Sequence, residues 1–206
     1  MVVIKRPPPD PRRRLNPVHI ALPAGTDLYR IYDPASRYRP QALTFRVRGP
    51  FSRMDHHERT GADAPRGIWY GGLTLAGAIV EAFQSGVIEP GTSRLVRART
   101  TRELDLLELR GRAAMRAGTV NAIGSADHNL SQAWSRHFYE DPDGLYGPID
   151  GVHWASAVNG DRVVALFERA RDALEVPDGH DAPLDDPAVL AIVRRIARQH
   201  SLLVIT

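Results

Sequence analysis

Apolar residues, alternating with polar ones or running together, gather in short strand-like bursts over 28–32, 42–47, 67–70, 94–99, 104–109, 152–155 and 163–167, and each burst predicts a strand. Between some of them the apolar spacing lengthens to three and four, which predicts helices near 74–85, 111–123 and 129–139. Asn159, Gly160 and Asp161 separate the last two bursts and predict a hairpin turn. Helices and strands do not alternate strictly, so the expected fold class is α+β. Toward the end, Asp185 or Asp186 offers an N-cap and Pro187 suits a first turn, while Val189, Ile192, Val193 and Ile196 share one helical face. Residues 202–205 then read as a closing strand, and the polar stretch 175–186 as a surface linker.

A chain of 206 residues supports one complete hydrophobic core. Its expected organisation is an arm over 1–17, a body over 18–174, and a C-terminal unit over 175–206 of linker, helix and strand packed on that body. The arm carries five prolines with Lys5, Arg6, Arg12, Arg13 and Arg14, a composition that favours a mobile, extended segment. Its alternative reading is an electrostatic handle for nucleic acid or an acidic partner. The isoelectric point near 9.6 belongs to this arm. The whole chain is only +3, so the body is close to neutral.

No cysteine is present, which excludes disulfides, thiolate chemistry and cysteine-ligated metal centres. The N-terminus lacks the apolar stretch of a secretion signal and no run approaches a membrane span, so a cytoplasmic location without membrane contact is expected. Neither a P-loop nor a G-x-G-x-x-G fingerprint occurs. Asp55, His56 and His57, even with Asp127 and His128, match no metal-ligand template. They are expected to be solvated loop histidines, with no metal bound.

Three segments can carry chemistry. In TLAGAIVEAFQSG, Thr74 can cap a helix whose only ionisable residue is Glu81, behind the small face of Thr74, Gly77 and Ala78. A carboxylate on such a buried helix either pairs with an arginine at the rim or is used. In LYRIYD, Arg30 shares a strand face with Leu28 and Tyr32, so it either reaches solvent along its stem or binds an anion through its fork. Ser156 ends the strand before the Asn159 turn, where a serine is ordinarily a turn former. No nucleophile elbow surrounds it.

Taken in order, LYRIYDP, GPFSRMDHH, RGIWYGGLTLAGAIVEAF, SQAWSRHFYED and DGVHWASAVNGDRVVALFER resemble the RES-domain family over about 27–171. The resemblance implies a single catalytic domain similar to the ADP-ribosyltransferase fold, with twisted mixed or antiparallel sheets and flanking helices. It implies an NAD-degrading toxin of a toxin–antitoxin system, with Arg30, Glu81 and Ser156 catalytic and Arg30, Arg53 and Tyr70 binding the dinucleotide. NAD is then a substrate, inorganic phosphate the co-substrate, and the products nicotinamide and ADP-ribose 1″-phosphate. Water or a protein as acceptor, the latter making the chain a protein ADP-ribosyltransferase, is the alternative. The implied partner is an Xre-type antitoxin covering the cleft, in a homodimer or larger complex that meets nucleic acid only through the antitoxin. A non-catalytic binding module working through the basic arm is the reading from another class. This chain departs from many relatives in having GPFSRMD where they carry a G-R-W-N-like segment, and Ala157 after the serine where they often carry arginine.

Overall fold

The computed structural model describes residues 7–8, 14–57, 66–141 and 143–205. In chain order the elements are β1 (His19–Leu22), β2 (Asp27–Tyr32), β3 (Ile68–Gly72), α1 (Leu75–Ala82), β4 (Val87–Ile88), β5 (Arg94–Thr100), β6 (Leu104–Glu108), α2 (Arg112–Arg116), a 3-10 turn (Asn121–Ser125), α3 (His128–Glu140), β7 (Gly151–Ala155), β8 (Arg162–Phe167), a second 3-10 turn (Glu168–Ala173), β9 (Leu174–Glu175), β10 (Asp181–Pro183), α4 (Pro187–Gln199) and β11 (Leu203–Val204). A nine-stranded sheet runs β1-β6-β7-β8-β3-β2-β5-β10, with β9 also on β5. Only β6 and β7 pair in parallel within it. The α+β expectation and the curled mixed sheet with flanking helices are both present.

The middle of the sheet is buried on both faces, which is why β8 reads as a continuous apolar run. Val163, Ala165 and Phe167 pack with Trp134 and Phe138 of α3 on one side. Val164 and Leu166 pack with Leu28, Trp69 and Leu106 on the other. A third cluster joins Ile79 of α1 to Val193 and Ile196 of α4, over Ile31 and Leu95 of the sheet. The expected C-terminal helix therefore buttresses α1, with Asp186 as its N-cap and Pro187 in its first turn.

Several expectations change. The segment 42–47 forms no strand; it makes a single bridge, Arg46 to Ile68. It crosses a place where β2 and β3 part, so only one of its residues meets the β3 edge. The helix expected over 111–123 is broken into α2 and a 3-10 turn around Gly118, Thr119 and Val120, all poor helix formers. The closing strand β11 pairs in parallel with β4, outside the main sheet. The 175–186 stretch adds β10 to the β5 edge, where Pro183 costs no central hydrogen bond.

Residues 1–6 and 9–13 of the arm lie outside the described residues. At its end, Asn16 exchanges hydrogen bonds with Arg116: its N–H donates to the Arg116 carbonyl (3.1 Å) and its carbonyl accepts from Arg116 Nε (2.8 Å).

Candidate active site

The sheet opens between β2 and β3. β2 forms six register pairs with β5 and β3 forms five with β8, but β2 and β3 share only Tyr29 with Gly72. Beyond that pair the strands are free to line a cavity of about 470 Å³, and consecutive residues of each do so: Tyr29, Arg30 and Ile31 from β2, and Tyr70, Gly71 and Gly72 from β3. The carbonyls of 42–46 close the far side of the gap. Trp69 Nε1 donates to the Ala42 carbonyl (2.9 Å) and Arg30 Nη1 to the Thr44 carbonyl (3.0 Å).

α1 forms one wall, and its small residues explain how closely it lies. A Cβ on Gly72 would come within 2.8 Å of the Ala78 nitrogen, and one on Gly77 within 3.0 Å of the Asp161 Cβ. Thr74 caps the helix by accepting from the Gly77 N–H (2.9 Å) and donates to Asp161 Oδ2 at 2.7 Å. The helix start is thereby tied to the β7–β8 turn. Its Glu81 reaches the cavity, where Gln84 Nε2 donates to Oε2 at 3.0 Å. Among the described residues no arginine or histidine is paired with it, so the rim ion pair is not formed.

Arg30, Arg53, Tyr70 and Glu81 thus border one cavity. Strand alternation places the Arg30 side chain with Leu28 and Trp69, and its guanidinium lies 5.5 Å from the centre of the Trp69 ring. Burial, with Arg46 nearby, lowers this guanidinium to about 10, so it remains a cation at neutral pH. Arg53 lies on the other wall, where Nε donates to the Ala126 carbonyl (3.2 Å).

Ser156 is buried behind the lining while its neighbours Trp154, Ala157 and Val158 face the cavity. Its Oγ accepts from the Val158 N–H at 3.1 Å and its N–H donates to the Asp161 carbonyl at 2.7 Å, so it shapes the turn. No hydrogen bond joins it to Glu81.

The structure corrects the reading of His56 and His57 as solvated. Both are buried. His56 Nε2 lies 3.0 Å from Glu168 Oε2, and its ring packs against Tyr139 and Phe167. His57 Nε2 donates to the Arg46 carbonyl at 2.9 Å. A polar loop sequence concealed this because the loop is folded under the end of β8. No group of three or more His, Asp or Glu side chains among the described residues is arranged to hold a metal ion.

Sequence reasoning missed Tyr29, Ser52, Trp154 and His128 as lining residues. It also missed the buried Asp55, which binds Arg46 and the Tyr70 hydroxyl. Nothing local distinguished Asp55 from any other loop aspartate.

A family model described as RES domain matches residues 27–186. Among solved structures, a chain of the crystal structure of the M. tuberculosis MbcT–MbcA toxin–antitoxin complex is similar in fold, with a TM-score of 0.58 at 17% identity. That alignment covers 86% of this chain and 92% of the other. No curated protein matches the sequence significantly.

Proposed function

The chain belongs to the RES domain family, and from that premise we propose that it is the toxin of a toxin–antitoxin pair, cleaving the nicotinamide–ribose bond of NAD by phosphorolysis. The observation that carries the reading is Glu81: a carboxylate with no cationic partner among the described residues, on the wall of a cavity that Arg30, Arg53 and Tyr70 also border.

The reaction explains the need for such a group. When the bond between C1″ and the pyridinium nitrogen breaks, its electron pair neutralises the ring, nicotinamide leaves, and positive charge develops on the ribose. A fixed carboxylate at the 2″-hydroxyl or beneath the ring stabilises that charge, most strongly where water is excluded. A phosphate oxygen then bonds to C1″, giving ADP-ribose 1″-phosphate. Glu81 takes the electrostatic role. Arg30 offers the pyrophosphate a charge that the Thr44 carbonyl and the Trp69 ring hold in place. The Tyr70 ring, edge-to-face with Trp154 at 6.3 Å between centroids, supplies an aromatic wall for the nicotinamide or ribose. Arg53 guides the incoming anion. Ser156 contributes by setting the turn to which Thr74, and with it α1, is tied.

The proposed partner is a protein antitoxin of the Xre type that covers this cleft. Val158, 49% exposed on the cavity rim, and Phe51, 59% exposed beside Ser52, offer it apolar contacts.

Purified protein incubated with NAD and phosphate should release nicotinamide and form ADP-ribose 1″-phosphate, with little release when phosphate is withheld. Release that ignores phosphate would replace phosphorolysis with hydrolysis. Adenine label that becomes covalently attached to protein would indicate protein ADP-ribosylation. No release with any acceptor would overturn the proposal.

A further inference from the structure

Asp55 takes no part in the chemistry above, yet it is completely buried one side chain away from the cavity. Oδ1 accepts from Arg46 Nη2 and from the Tyr70 hydroxyl, both at 2.7 Å. Oδ2 accepts from the N–H groups of Phe51 (2.6 Å) and Ser52 (3.0 Å), and Arg46 Nη2 lies 2.9 Å from it as well. Burial alone would raise the Asp55 carboxyl, but Arg46 and the two backbone donors outweigh it and hold the group below its usual range. The site is therefore built around a carboxylate, and a buried charge so fully satisfied fixes the geometry of everything bound to it.

Two of those partners lead directly to the cavity. The Tyr70 hydroxyl is spent on Asp55 inside the protein. Burial, with the Asp55 charge beside it, keeps the phenol protonated well above its ordinary range. The backbone donors Phe51 and Ser52 belong to the turn that carries Ser52 and Arg53 to the cavity wall. We propose that Asp55 is a positioning residue that anchors Tyr70 by its hydroxyl, so that the ring and not the oxygen meets substrate, and folds the turn that presents Ser52 and Arg53. The effect on turnover rests on the NAD-cleaving reading; the anchoring of Tyr70 does not.

Two measurements test it. In protein carrying ¹³C-labelled tyrosine, the Tyr70 resonance should stay neutral through the pH range in which exposed tyrosines ionise. In Asp55→Asn, which keeps an acceptor but removes the charge, Tyr70 should ionise at lower pH. An unchanged titration would overturn the anchoring, whether or not the protein turns over NAD. In steady-state kinetics, Asp55→Asn and Tyr70→Phe should each raise the KM for NAD roughly 10-fold with a smaller change in kcat, a shift in keeping with misplacement of a binding wall. The double variant should be no worse than the more impaired single one, since the Tyr70 hydroxyl acts only through the Asp55 carboxylate. Multiplying losses, or a Tyr70→Phe enzyme with unaltered KM, would count against the proposal. Asp55→Ala should be more impaired than Asp55→Asn, because only asparagine still accepts from Tyr70. If Asp55→Asn fails to fold, Tyr70→Phe, which removes only one of the Asp55 partners, still decides the matter.

Discussion

Glu81 differs from Asp55 and Glu168 in having an amide neighbour where they have a guanidinium or imidazole partner. Replacing it with glutamine keeps the size and the contact to Gln84 but removes the charge. Glu81→Gln should slow nicotinamide release about 10²- to 10³-fold, while the thermal midpoint moves by only a few degrees. An active variant would remove Glu81 from the mechanism. Arg30 presents a different dependence, on geometry as well as charge. Arg30→Lys preserves the charge but loses the planar fork that donates to Thr44 while its centre sits over the Trp69 ring. It should weaken NAD binding about 10-fold or more, readable as a rise in KM. Both residues were visible in the sequence as ionisable groups set among small or apolar neighbours. Ser156 rested on the family resemblance alone, and its contacts are those of a turn former.

The elements that hold these residues are coupled in ways that single-segment periodicity does not reveal. Thr74 was expected as a helix cap, and it is one; that it also donates to Asp161, 87 positions away, depends on the hairpin arriving beside it. Thr74→Val removes both bonds and should cost about 1–2 kcal/mol in urea unfolding, with a fall in kcat because α1 carries Glu81. The α4 helix lies beyond the family match yet packs Val193 and Ile196 on Ile79 of α1. Ile196→Ala should destabilise the protein by roughly 2–5 kcal/mol, lowering the thermal midpoint by about 5–15 °C while leaving the KM for NAD of the remaining folded enzyme little changed.

For the whole molecule, the buried polar loop sets the response to acid. His56 and His57 resist protonation because burial disfavours the cation, whereas the unfolded chain takes up protons near the ordinary 6.5. The unfolded state then holds more protons, so stability should fall as the pH drops below about 6.5. Glu108 and Glu168 are held at about 2 against the cost of burial, chiefly by their hydrogen bonds to His153 and to His56. Their contribution is complete above the ordinary 4.5 and is lost as pH falls from there toward about 2. Unfolding midpoints across this range should therefore decline in two stages. His56→Gln, which does not titrate, should flatten the first stage, and a slope identical to wild type would show that His56 does not cause it. The sequence by itself determined the α+β class, most strands, the helix cap at Thr74 and a C-terminal cap at Asp185 or Asp186, and it marked Glu81 as a candidate, because period, caps and turn residues act within a few neighbours. Only the tertiary structure decided the parting of β2 and β3, the crossing of the gap by 42–46 and the burial of Asp55, His56 and His57. Each of those follows from which distant strand edges and charges meet, and no local pattern along the chain encodes that meeting.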